Sequence, residues 1–176
     1  MAALDTRKLR DLFGLFATGV VVVTAVDTQG APIGLTVNSL TSVSLDPPLL
    51  LWCLASGSQH RNAFSAGARF DIHILSEHQM DLAMHFARRG REKFETDPVW
   101  RRDPTPPHIH GALARLHCRV QATHEAGDHV IIVGAIEDAE RGAGEPLVFH
   151  ASQFGHFTPR RAVRELSPST HGDGWF

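Results

Sequence analysis

Residues 34–54, GLTVNSLTSVSLDPPLLLWCL, decide how this chain is read. The apolar runs in and around the stretch first read as a pair of core strands. Among them sit Thr36, Asn38, Ser39, Thr41, Ser42 and Ser44, all small, polar and neutral. A turn would be built of glycine and proline, and a solvent face would carry charge. Neither appears before Asp46-Pro47-Pro48.

A cluster of hydroxyls, one amide and backbone N–H groups between apolar strands suits a planar heterocycle with carbonyl and ring-nitrogen atoms. Pockets for such ligands are mostly apolar, with a few polar groups that fix orientation. Just downstream, Ser56-Gly57-Ser58 with His60, Arg61 and Asn62 opens a candidate helix. A helix N-terminus with hydroxyls and an arginine suits an anion. A heterocycle plus a phosphate describes a nucleotide-like cofactor. The same residues also allow a Ser/Thr-rich strand crossover followed by an N-capped helix, and both readings stand at this level.

Outward from this stretch, 4–17 spaces Leu4, Leu9, Leu12, Phe13 and Phe16 as an amphipathic helix ended by Thr18-Gly19. The β-branched run VVVVTAV is bounded by DTQG and pairs as a hairpin with APIGLTVNSL. PPLLLWCLA has strand length, and HRNAFSAGA reads as a short helix. RFDIHILS alternates Phe70, Ile72 and Ile74 against Asp71 and His73, so a half-buried strand is expected. Residues 77–89 read as a helix with Met80 and Met84 in the core and Gly90 as C-cap. After a Pro-rich loop over 97–110 come two long strands joined at Ala126-Gly127-Asp128, then one last strand in EPLVFHASQFGHF. Many strands with two or three short helices predict a mainly β domain, a β-barrel with helices packed outside.

The 176 residues are 43% hydrophobic and 20% charged, enough for one domain with its own core. The net charge of −2 favours neither nucleic acid nor an anionic membrane as partner. Cys53 and Cys118 lie in apolar stretches without metal spacing and read as reduced, buried thiols. Met1–Arg10 lacks the apolar segment of a signal peptide, and no apolar run is long enough to span a bilayer. A soluble cytoplasmic protein is expected. Motifs of the GxSxG, HExxH, P-loop and GxGxxG types are absent. His73, His78, His108 and His110 match no ligand spacing, and no metal is expected.

FATGVVVVTA, the opening stretch, Phe86-Ala87 with Lys93-Phe94, GALARLHCRV, AGDHVIIVGAI and PLVF together resemble the flavin reductase-like domain family. The resemblance runs over 12–157, with 1–11 as a helical lead-in and 158–176 as a tail, loosely ordered or packed on a partner subunit. It implies a split β-barrel of Greek-key type and a homodimer with flavin near the subunit interface. It also implies hydride transfer from NADH or NADPH to FMN or FAD, and transient delivery of reduced flavin to a monooxygenase component. By match to the motif, Thr36, Val37, Asn38 and Ser39 would line the ribityl and pyrimidine side. Ser42, Val43 and Ser44 would meet the isoalloxazine edge, and Ala55 and Ser58 the ribityl-phosphate. Phe86, Lys93 and Phe94 match the stretch whose basic residue meets phosphate. His129 would sit where the nicotinamide stacks, or would merely cap the hairpin turn. Two alternatives stay open: a flavoprotein that holds its flavin and reduces another substrate, and a flavin-binding module without turnover. The chain has no tyrosine, so a tyrosine carried by relatives in the last strand would be replaced by His150, Phe154 or His156.

Overall fold

Four consecutive valines, Val20–Val23, point alternately to two sides, so the strand that carries them needs cover on both. A computed structural model describes residues 5–88, 90, 92–94, 100–101 and 106–159, and the valines there fall as the alternation requires. Val21, Val23 and Ala25 enter a core with Trp52, Phe64 and Phe70, whose rings meet edge-on or tilted. Val20 and Val22 enter a second core with Leu75, Leu82, Phe86 and Leu147.

The described residues are mainly β with two α-helices. Helix α1 (Thr6–Gly14) is capped by Asp5, whose Oδ1 accepts the N–H of Arg7 at 2.9 Å. β1 (Thr18–Gly19), β2 (Val21–Val26), β3 (Pro32–Val37), β4 (Thr41–Leu45), β5 (Pro48–Ala55) and β6 (Arg69–Ile74) follow. Next come α2 (Met80–Ala87), β7 (Trp100–Arg101), β8 (His108–Ile109), β9 (Ala114–Ala126), β10 (His129–Arg141), β11 (Leu147–His150) and β12 (Gln153–His156). The main sheet has seven strands in the order β3-β2-β6-β9-β10-β5-β4. All of its ladders are antiparallel.

β3 and β4 are neighbours in sequence but stand at opposite edges of this sheet. Laid flat, six strand spacings would separate them by about 29 Å. Only Asn38, Ser39 and Leu40 connect them, a reach of at most about 14 Å. The sheet therefore curls until its edges approach, and the polar stretch lies along that seam. No ladder joins β3 to β4 among the described residues.

The expected hairpins over 21–37 and 114–141 are present, and Asp46-Pro47 turns β4 into β5. Four local readings are corrected. Asp71 and His73 are not the wet side of β6: both are about as buried as the apolar residues beside them, because β6 is an inner strand. Arg115 on β9 pairs with Asp71 through Nε at 2.8 Å and Nη2 at 2.7 Å. Met80 and Met84 face outward, and Leu82, Ala83 and Phe86 form the buried side of α2. That helix ends at Ala87 with Arg88 as C-cap, ahead of Gly90. Finally, EPLVFHASQFGHF is a hairpin, not one strand, reversed at Ala151 and Ser152 with φ of 48° and 62°.

α1 crosses the expected boundary at residue 11 and buries none of its residues in the single chain. Of the tail expected over 158–176, residues 160–176 lie outside the described residues, as does much of the Pro-rich loop. No helix among the described residues is long and apolar enough to cross a membrane.

Candidate functional site

At the seam, β3, the Asn38–Ser39 link, the end of β5, the loop after it and the end of α2 enclose a cleft of about 840 Å³. Local chemistry explains why it stays open. The register of β4 against β5 places Ser39 opposite Cys53, but the ladder ends at Thr41–Leu51. The Ser39 hydroxyl oxygen accepts the next free amide instead, from Cys53, at 3.0 Å. Thr36 Oγ1 donates to the Ala83 carbonyl at 2.6 Å and fastens β3 to α2. With its one proton spent there, Thr36 can only accept from a ligand.

Gly34 makes the close approach of α2 possible. A Cβ there would lie 2.3 Å from the Phe86 ring and 3.0 Å from Phe94. These two rings pack at 5.1 Å between centroids. Lys93 locks the corner: its Nζ donates to the carbonyls of Gly34 at 3.0 Å and Phe86 at 2.8 Å. Burial of this ammonium pushes its pKa below the ordinary lysine range.

Thr36, Val37, Asn38, Ser39, Ala55, Ser58, Phe86, Lys93 and His129 all line this one cleft. Ser58 Oγ accepts the His60 N–H at 3.2 Å and keeps its own proton for another acceptor. His129 opens β10, and its Nδ1 lies 2.8 Å from Oδ1 of Asp128. That hydrogen bond holds the Asp128 carboxyl below its usual range. With Nδ1–H turned to the carboxylate, Nε2 is the nitrogen left for a ligand.

Other expected residues stand elsewhere. Phe94 lines a smaller neighbouring cavity. Ser42, Val43 and Ser44 lie on edge strand β4 outside the cleft, with Ser42 and Val43 exposed. His150, Phe154 and His156 are on β11–β12, and none lines the cleft. The helix expected after Ser58 is a single 3₁₀ turn, Arg61–Phe64. Buried Ala63 and Phe64 anchor it to the core, and Gly67 at φ +83° swings the chain into β6. Arg61 pairs instead with Glu125.

Arg88 and Gln59 also line the cleft and were not picked out from sequence, and Cys53, expected to be buried, lines it too. A basic residue directly after the Phe86-Ala87 pair was the available signal for Arg88. Cys53 is half-buried there, whereas Cys118 is buried and its thiol is pushed up to about 12 by that burial. The cleft thus presents two cationic side chains, Arg88 and Lys93, and no carboxylate among its described lining residues. Neutral hydroxyls, an amide and backbone groups beside two cations fit a planar heterocycle with an anionic tail.

No group of three or more potential ligands with metal-binding geometry occurs among the described residues. His73 is used structurally. His73 Nε2 lies 3.1 Å from Thr24 Oγ1, which donates onward to the Pro107 carbonyl at 2.7 Å.

A family model described as the flavin reductase like domain matches residues 13–158. The chain is 48% identical to the FMN reductase (NADH) SmoA of Agrobacterium fabrum over 155 residues, 88% of this chain and 87% of that one. It is 39% identical to the reductase component of 4-nitrophenol 4-monooxygenase/4-nitrocatechol 2-monooxygenase from Rhodococcus opacus, covering 90% and 84% of the two chains. Among solved structures, the Streptomyces globisporus NADH:FAD oxidoreductase SgcE6 in complex with NAD and FAD fragments superposes with a TM-score of 0.79. That pair is 36% identical, over 90% of this chain and 98% of the other. With the match covering most of its length, the chain belongs to the flavin reductase-like domain family.

Proposed function

We propose that this protein is an NAD(P)H-dependent flavin reductase that supplies reduced FMN or FAD to a partner monooxygenase. The observation that carries this is the single cleft at the seam, where hydroxyls, two cations and His129 converge. The names of relatives, an FMN reductase and a monooxygenase reductase component, support the same reading.

When bound, a flavin supplies the two-electron acceptor for a hydride from reduced nicotinamide. The chain's own part is positioning and charge. Ser39, Thr36 and Ser58 are held by backbone partners, so their lone pairs and protons have fixed directions. Such preorganised groups need little rearrangement as charge develops on a ligand. Arg88 and Lys93 bring positive charge for a phosphate. His129, oriented by Asp128, offers Nε2 to a carboxamide or ring nitrogen. We assign Ser42, Val43 and Ser44 to the flavin's edge only as part of a second subunit's contribution or of a local closure of β4.

We read the curled seven-stranded sheet as a split β-barrel of Greek-key type, and the working unit as a homodimer. The exposed Leu12, Phe13, Leu15 and Phe16 support a subunit contact there.

The test is a steady-state assay crossing FMN, FAD and riboflavin with NADH and NADPH. Oxidation of the nicotinamide that depends on added flavin is expected. Protein that neither binds flavin nor oxidises either nicotinamide would overturn the proposal.

A further inference from the structure

Residues 106–110 lie against the barrel, none of them lines the cleft, and the proposed chemistry leaves them unused. Pro106, Pro107 and Ile109 are buried, while His108 and His110 stay partly exposed. Three side chains fasten the segment. Thr24 Oγ1 donates to the Pro107 carbonyl at 2.7 Å, and Gln79 Nε2 donates to the His110 carbonyl at 2.8 Å. Arg115 Nη1 lies 3.2 Å from His108 Nδ1. Ile109 enters the second core, which also holds Phe86 and Phe94. Those two rings pack against Gly34 beside Lys93, at the corner of the cleft.

An arginine can only donate, so His108 Nδ1 is the bare, accepting nitrogen of a neutral ring. A proton there turns the acceptor into a second donor and sets one cation against another. Arg115 is not free to turn aside. It is buried and holds Asp71 through Nε at 2.8 Å and Nη2 at 2.7 Å.

The neighbours of His108 add little that welcomes a charge. His73 from β6 stacks on it, with 5.9 Å between centroids and 16° between planes, and the His110 ring lies at 4.7 Å. Arg101 on β7 is its register partner. From β9 and β10 it feels His117, which adds repulsion, and Glu140, which opposes it. The Glu140 carboxylate is shared, at 3.8 Å from Arg115 Nη1 and 3.4 Å from His117 Nε2. Burial, then Arg115 and His110, outweigh Glu140 and lower the pKa of His108 from its ordinary 6.5.

We propose that His108 is the trigger of an acid-released latch: neutral, it holds residues 106–110 closed behind the cleft corner, and on taking up a proton it frees them and weakens the hold of the cleft on its ligand. The latch stands on the geometry alone, and its effect on flavin rests on the flavin reductase reading. The closed segment binds the proton less well than the open one. Closure is therefore favoured above the ordinary histidine pKa of about 6.5 and is lost as the pH falls below it. Linkage is reciprocal, so a ligand that needs the closed corner also tightens the latch.

The test is hydrogen–deuterium exchange of the full chain at pH 7.5 and 5.5, with and without saturating FMN. Rates are read as protection factors, which remove the intrinsic pH dependence of exchange. Wild type is compared with His108→Gln, whose amide oxygen still accepts from Arg115 and does not titrate. At pH 5.5, peptides covering 106–113 are expected to lose protection at least threefold more than those of β2 and β3. In His108→Gln that extra loss disappears. FMN restores the protection of the same peptides in wild type at least threefold. A wild-type NMR titration gives a readout that needs no variant: the His108 ring and the amides of 108–113 titrate together.

A loss shared equally by β2 and β3, one that survives His108→Gln, or amide changes that follow the ring of His73, His110 or His117 instead would overturn the latch. Opening with acid that bound FMN does not oppose would overturn its link to the cleft. Wild-type protein that binds no FMN at either pH would defeat the functional reading, while exchange without FMN still decides the latch.

Discussion

Ser39 takes over a strand's task with a side chain: its Oγ accepts the Cys53 amide at 3.0 Å, at the point where the β4–β5 ladder has ended. The hydroxyl thereby spans the seam and shapes the cleft wall. Ser39→Ala leaves that amide without its partner, a loss of about 1 kcal/mol and up to about 3. Chemical denaturation should show the lower stability, and flavin titration a weaker complex. Stability unchanged to within a few tenths would remove the bridge from this picture.

Lys93 has a structural and a ligand-facing assignment, and one variant separates them. Lys93→Met keeps the length and removes the donor, leaving the Gly34 and Phe86 carbonyls unpartnered at about 1–3 kcal/mol. If Lys93 also meets phosphate, FMN affinity falls further than riboflavin affinity. Equal weakening of both flavins would confine the residue to its anchoring role.

His129 is exposed, so its removal should spare the fold. His129→Ala is expected to slow hydride transfer or raise the nicotinamide KM, with the circular dichroism spectrum and melting temperature preserved. Asp128→Asn should give a smaller change in the same parameter, since it acts through the imidazole. Kinetics untouched by His129→Ala would make the residue a hairpin cap.

His73 sets a pH dependence of stability. Its ring is fully buried, and burial lowers its pKa from 6.5 to about 3, with Arg115, His108 and His117 adding repulsion. The unfolded chain takes up a proton there near pH 6.5, whereas the folded chain resists until about 3. The stabilisation is therefore present above about pH 6.5 and is lost as the pH falls through that window, at about 1.4 kcal/mol per pH unit. His73→Gln keeps a donor for Thr24 and does not titrate. Its denaturation midpoint should vary less between pH 7 and pH 5 than that of wild type. Parallel profiles would exclude His73 as the source.

Pattern-level signals located the long elements well. Turn chemistry at DTQG, Asp46-Pro47-Pro48 and Gly127-Asp128 bounded the hairpins, and the valine run required a strand covered on both faces. What failed depends on neighbours distant in sequence. Alternation in β6 marks Asp71 and His73 as polar, but only the position of β9 supplies Arg115 to keep them buried. Met80 and Met84 share helical spacing with the buried side, and only the docking of α2 on β3 decides which stripe is covered. The reversal at Ala151-Ser152 puts two non-glycine residues at positive φ, a geometry whose usual signal is Asn-Gly. The cleft residues near the opening stretch were legible from local composition. Arg88 and Gln59 required the curl that brings α2 and the loop after β5 to the same seam.

The most direct test is anaerobic stopped-flow mixing of NADH with the protein and oxidised FMN, followed by the visible absorbance of the flavin. A reductase bleaches that band in a protein-dependent, saturable phase, slowed by His129→Ala. Flavin that binds at the cleft yet stays oxidised in the presence of NADH would contradict hydride transfer at this site.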